Sequence, residues 1–237
     1  MNKHSALLVL TVVAALLASC APAPVAAPPT AAPSQPAAPE APVPPTETVA
    51  TPAAVSPDGV LRLVIAPEGN EARFRVREQL VSLTLPSDAV GTTTSVSGAI
   101  VLQPDGLILD DGSRFAVDLT TLRSDSDRRD GYIQRNTLET GTYPEAVFVP
   151  KAVMGLPSPL PDSGAVAFQL TGDLTVHGAT RSVTWDVTAQ IEGQRLLGTA
   201  ATSITFTEFG MPLPRVGPVL SVEDLIALEL DFTLTLE

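Results

Sequence analysis

The stretch Phe168 to Ile191, FQLTGDLTVHGATRSVTWDVTAQI, constrains this chain more than any other. In its first arm Phe168, Leu170, Gly172, Leu174 and Val176 share one phase, against Gln169, Thr171, Asp173 and Thr175. The second arm sets Val183, Trp185, Val187, Ala189 and Ile191 against Thr184, Asp186, Thr188 and Gln190. A strict period of two marks half-buried strands, and His177-Gly178-Ala179-Thr180 between the arms predicts a tight hairpin turn. A sheet with one apolar face must pack that face on something or curl around it. What fills the inside is therefore the functional question.

The same alternation recurs along the chain at Leu61–Ile65, Ala72–Arg77, Val96–Leu102, Ser113–Leu119, Ala146–Val149, Leu196–Phe206 and Ile226–Leu236. Turn chemistry at Pro104-Asp105-Gly106, Asp110-Asp111-Gly112 and Glu192-Gly193 separates several of these runs. Only Asp127–Leu138 and Val222–Leu225 read as short helix. Many strands with few helices predict an all-β domain, an antiparallel sandwich or barrel. Gly98, Gly172, Gly198 and Ala200 fall in the inward phase and aromatics make up only 4% of the chain. Small inward residues favour a barrel that encloses a ligand over one filled by its own side chains, though a filled core stays open on this ground alone.

Ahead of this domain the chain is of a different kind. An apolar run from Ala6 to Leu17 follows Lys3 and ends in Leu17-Ala18-Ser19-Cys20. About a dozen residues cannot span a bilayer, which needs ~20 in a helix, so residues 1–19 read as a lipoprotein signal peptide with Cys20 as the lipidation site. Residues 20–57 then comprise Cys20 and an Ala/Pro-rich linker holding 12 of the 23 prolines. Fully extended as polyproline II, about 37 residues reach on the order of 110 Å. The folded domain is assigned to residues 58–237. Localisation is expected to be exported, membrane-anchored, on the periplasmic or cell-surface side.

Composition removes several classes of function. The chain holds one Cys and two His; with Cys20 lipidated and His4 lost with the signal, only His177 remains. No disulfide framework, thiol nucleophile or Cys/His zinc site can be built from that set. A net charge of −12 argues against nucleic acid as a partner. Asp125, Asp127 and Asp130 look like the start of a calcium loop, but Arg129 stands where that loop needs an acid or amide, so no metal is expected. His177 reads as a turn residue rather than a general base, and no G-x-S-x-G elbow is present. The alternation of Arg73, Arg75 and Arg77 with Phe74 and Val76 marks a solvated outer face. No catalytic residue and no cofactor is expected.

Several segments in order resemble the YceI-like family: Phe74-Arg75-Val76-Arg77, Arg128-Arg129-Asp130 with Ile133 and Leu138, Tyr143-Pro144-Glu145-Ala146-Val147-Phe148, GDLTVHGATRSVTWDV, and Thr207-Glu208-Phe209-Gly210. The resemblance runs from about Ala72 to Glu237. It implies an exported, antiparallel lipocalin-like β-barrel of about eight strands that holds a polyisoprenoid or related amphiphilic chain, with loops and one short helix near the mouth. Two places depart from the family pattern: Gly91-Thr92-Thr93-Thr94, where a Gly-Phe pair is usual, and the proline-rich loop Gly155 to Gly164.

Strand phase and resemblance together predict the wall of a ligand cavity. Phe74 and Val76 contribute from the opening strand, Val96 and Ile100 from the next, then Phe115, Val117 and Leu119. Ile133 and Leu138 come from the helical segment, and Phe148, Phe168, Leu170 and Leu174 from the strands that follow. Trp185, Val187, Ile204, Phe206, Leu228, Leu230 and Phe232 complete it. The expected function is non-enzymatic binding, shielding or transport of an isoprenoid or acyl-chain lipid at the outer face of a membrane. An enzyme acting on a lipidic substrate at the barrel mouth, or a surface scaffold with a filled core, are the alternatives.

Overall fold

The computed structural model describes residues 59–237; the signal, Cys20 and the linker lie outside them. Eleven strand segments form one sheet: β1 (Leu61–Ile65), β2 (Glu71–Leu80), β3 (Ser87–Thr93), β4 (Val96–Leu102), β5 (Arg114–Asp118), β6 (Arg123–Ser124), β7 (Glu145–Met154), β8 (Ser163–Val176), β9 (Ala179–Glu192), β10 (Arg195–Ile204) and β11 (Val219–Leu236). A helix α1 (Asp127–Tyr132), continued by a π turn (Ile133–Thr137), stands between β6 and β7.

The segments join end to end into fewer walls. β1 pairs with β4 while β2 pairs with β3, and β4 pairs with β5 while β3 pairs with β6. Thus β1/β2, β3/β4 and β5/β6 are each one bent strand, and with β7 to β11 they make eight antiparallel walls in chain order. β11 closes the ring, with β10 on one edge and β2 followed by β1 on the other. Closure fixes an inside and an outside.

Each bend needs its backbone groups satisfied from elsewhere. Between β1 and β2 the buried side chain of Asn70 does this: its amide donates to the Ala66 carbonyl (2.7 Å) and its oxygen accepts from the Thr233 N–H (2.9 Å). Inside the walls, Gly98, Gly172 and Gly198 serve close approach rather than open space. A Cβ at Gly98 would lie 2.1 Å from the Arg114 carbonyl oxygen, at Gly172 2.3 Å from that of Val149, and at Gly198 2.2 Å from that of Thr188. These glycines let neighbouring strands press together where the barrel curves. The expectation that they widen the interior is corrected; of the four small residues, Ala200 alone lines the cavity described below.

Two other expectations change. Ser87–Thr93 is a strand that the alternation does not announce, because its inward positions are Ala89, Gly91 and Thr93. Val222–Leu225 is not helix: it belongs to β11, where the register against β2 jumps between Val222 and Ile226 in a bulge. The outer face is polar and cross-linked. Thr171–Thr184, Thr175–Thr180 and Thr188–Thr199 hydroxyls pair across β8, β9 and β10, and Arg73 donates to Glu229, Glu71 and Asp231. Those three carboxylates, Glu229 foremost, hold the Arg73 guanidinium still further above its usual range.

Candidate functional site

Every other residue of each wall points inward, and these side chains form two apolar clusters stacked along the barrel axis. One gathers Leu63, Ile100, Leu102, Ile191, Leu196 and Leu234; the other gathers Val76, Phe148, Leu174, Val176, Ile204, Phe206 and Ile226. Phe115, Leu170 and Trp185 touch both and so mark mid-height. Between the clusters and along the axis runs a cavity of about 640 Å³. That volume falls within the range of ~300–1,000 Å³ found for small-molecule sites.

Every residue that strand phase and resemblance assigned to the cavity wall, from Phe74 on β2 to Phe232 on β11, lines this cavity, including Ile133 and Leu138 of the helical segment. Trp185 is half-buried and packs edge-on against Phe148, with ring centroids 6.0 Å apart. Sequence reasoning missed Leu63, Ile65, Leu102, Leu196 and Leu234, which share the inward phase of their strands. It also missed Leu156 and Leu160, which reach in from the proline-rich loop after β7 and cap one end. No periodicity could have flagged those two.

The other end is the mouth, and polar groups collect there. Ser126 caps α1, its hydroxyl accepting from the Arg129 N–H (3.4 Å). Asp130 turns back to accept from the N–H (2.9 Å) and hydroxyl (2.6 Å) of Ser124, fastening the helix to β6. Arg129 reaches across to the buried carboxylate of Glu78 on β2 (3.0 Å) and also pairs with Asp125. The acids that suggested a calcium loop are therefore in structural use: Asp125 as an ion-pair partner and Asp130 as a clasp.

Opposite the helix, the segment joining β10 to β11 forms the second lip. Phe209 is buried to 1% exposure beneath it. Asp224 accepts from the Thr207 hydroxyl (2.6 Å) and N–H (3.1 Å), which holds its carboxyl below the usual carboxylate range. The two lips meet where the Arg215 N–H donates to the Tyr132 hydroxyl (3.3 Å). His177 sits at the tip of the β8–β9 hairpin with φ of 51°, its ring edge-on to Tyr143.

The body of the cavity is mostly aliphatic and aromatic, with the Arg73–Glu229 ion pair bordering it on the β2–β11 wall, and Arg128, Arg129, Arg135 and Glu78 lie at the helix end. Such a space accepts an apolar chain along the axis and leaves any polar end at the mouth.

A closed antiparallel barrel around an apolar axial cavity is a lipocalin-like binding architecture. Within that class the chain belongs to the YceI-like domain family, which residues 63–234 match. A UPF0312 protein of Pseudomonas putida (strain GB-1) is 34% identical over 113 residues, 44% of this chain and 55% of that protein. One from Pseudomonas fluorescens (strain SBW25) is 34% identical over 127 residues, 49% of this chain and 62% of that protein. The chain thus spans little more than half the length of the curated relatives it matches. Among solved structures, a polyisoprenoid binding domain from Saccharophagus degradans implicated in plant cell wall breakdown has a TM-score of 0.58 at 12% identity, covering 74% of this chain and 98% of that one. BcnA of Burkholderia cenocepacia has a TM-score of 0.51 at 18% identity, covering 69% and 95%. At these identities the structural likeness speaks for the fold.

Proposed function

We propose that this protein is a non-enzymatic carrier that binds an isoprenoid or acyl chain inside its barrel and shields it from water. The observation that supports this most is the cavity: about 640 Å³ and lined for most of its length by aliphatic and aromatic side chains. Family membership and a structural neighbour described as a polyisoprenoid binding domain point the same way. Burying methylenes contributes about 0.8 kcal/mol each, so ten give about 8 kcal/mol before the costs of association. A deep polar anchor is not required. In this reading the barrel is exported, lipidated on Cys20, and held at the outer face of a membrane by the linker.

One mass-spectrometric experiment on protein purified from its own membranes tests both halves. Under native conditions the barrel is expected to carry an apolar molecule that organic solvent releases. Under denaturing conditions the chain is expected to begin at Cys20 and carry a diacylglycerol adduct, which Cys20→Ser abolishes. A barrel that is empty as isolated and refuses every chain offered would sink the carrier reading. An unmodified Cys20 would sink the anchor.

A further inference from the structure

We infer that the barrel docks mouth-first on a phospholipid bilayer through an apolar lip formed by the β2–β3 loop and the start of β11. This rests on the carrier reading and adds how the chain is exchanged. Val81, Leu83, Leu85 and Leu220 are 62%, 46%, 74% and 66% exposed, four of the seven large apolar side chains that stand out in solvent among the described residues. They are gathered in one place. The Val81 N–H donates to the Pro218 carbonyl (2.9 Å), Leu80 pairs with Val219 across the strands, and the Gln79 amide holds the Leu83 carbonyl (2.6 Å).

A soluble surface does not ordinarily keep such a cluster, and this one adjoins the cavity wall. Leu80, Pro218 and Val219, its immediate neighbours, line the cavity. A chain leaving a bilayer at this lip would pass from lipid to barrel wall without crossing water. Arg128 and Arg135 line the same mouth, are exposed, and have no carboxylate partner among the described residues. They are placed to take lipid phosphates while the leucines sit below them.

Apolar contact must dominate, because a chain of net charge −12 is repelled by anionic lipid.

Every wall finds its partners within residues 61–236, so a chain starting at residue 21, lacking Cys20 and the signal run, keeps the whole barrel. It is expected to float with phosphatidylcholine vesicles, no better when phosphatidylglycerol is added, and with little dependence on salt. Leu83→Asp combined with Leu85→Asp should lower the bound fraction at least about tenfold. Leu107→Asp, equally exposed at the far end, should change nothing, and thermal melts should agree among all three. Native mass spectra of the same preparations separate this inference from its premise: a barrel that holds its chain yet does not float overturns docking alone. Flotation unchanged by the double substitution also overturns it, as does a dimer in solution that the substitution dissociates, which would give the lip to a second copy.

Discussion

Ala200→Trp is expected to abolish chain binding while leaving the barrel folded. Ala200 lies on β10 between Val187 of β9 and Leu230 of β11, and all three face the cavity. An indole there enters the axial space near mid-height, where the two clusters meet. If it displaces about four methylenes of a bound chain, the loss is ~3 kcal/mol, a weakening of at least about a hundredfold. Space for the ring already exists, so the midpoint of thermal unfolding should barely move. Titration of wild type and variant with one labelled chain decides the matter. Equal affinity would mean that the chain binds elsewhere; a variant that fails to fold would mean that the cavity is filled in solution.

Gly98→Ala is expected to have the largest effect on stability. Gly98 holds φ at 130°, a region that L side chains rarely adopt, and the added Cβ would stand 2.1 Å from the Arg114 carbonyl oxygen and 2.7 Å from the Phe115 Cα. Both are backbone atoms, so a side-chain rotation cannot relieve the contact. The conformation costs about 1–3 kcal/mol and the overpacking a similar amount, which together remove ~3 kcal/mol or more. Gly141→Ala is the control: its Cβ meets nothing within 4 Å, and its stability should stay within ~0.5 kcal/mol of wild type. Urea unfolding compares the two. A Gly98→Ala barrel as stable as the control would mean that β4 and β5 are not pressed together there.

These two positions also show what the sequence makes legible. Phase along a strand is local, so the alternation of Phe168 to Ile191 identifies inward residues without any knowledge of their neighbours. Phase puts Trp185, Val187, Leu228 and Phe232 inward, where they border the cavity. What a small residue does is decided by the strand beside it. Gly98, Gly172 and Gly198 are inward and small, yet the space they leave is occupied by adjacent backbone, which no single strand records.

Ser87–Thr93 escaped for the complementary reason. A Cβ at Gly91 would lie 2.3 Å from the Phe74 ring, so the ring from β2 supplies the apolar cover that β3 lacks in its own residues. Val222–Leu225 misled because apolar residues three apart suit a helix, and a bulge can produce the same spacing in a strand. The mouth was half legible. Motifs placed Arg129 and Asp130 at a helix start, but that Arg129 would reach Glu78 on β2 required the barrel to be closed.

The central claim is that the axial space admits a chain, and Trp185 is the one tryptophan, set in its wall at mid-height. Acyl or prenyl chains brominated near their apolar end should quench its emission in a saturable titration, and the unbrominated chain should reverse the quenching by competition. Chains brominated beside the polar end should quench far less, because that end stays at the helix mouth. Emission indifferent to every brominated chain, or quenched equally from both ends without saturation, would contradict a chain held along the barrel axis.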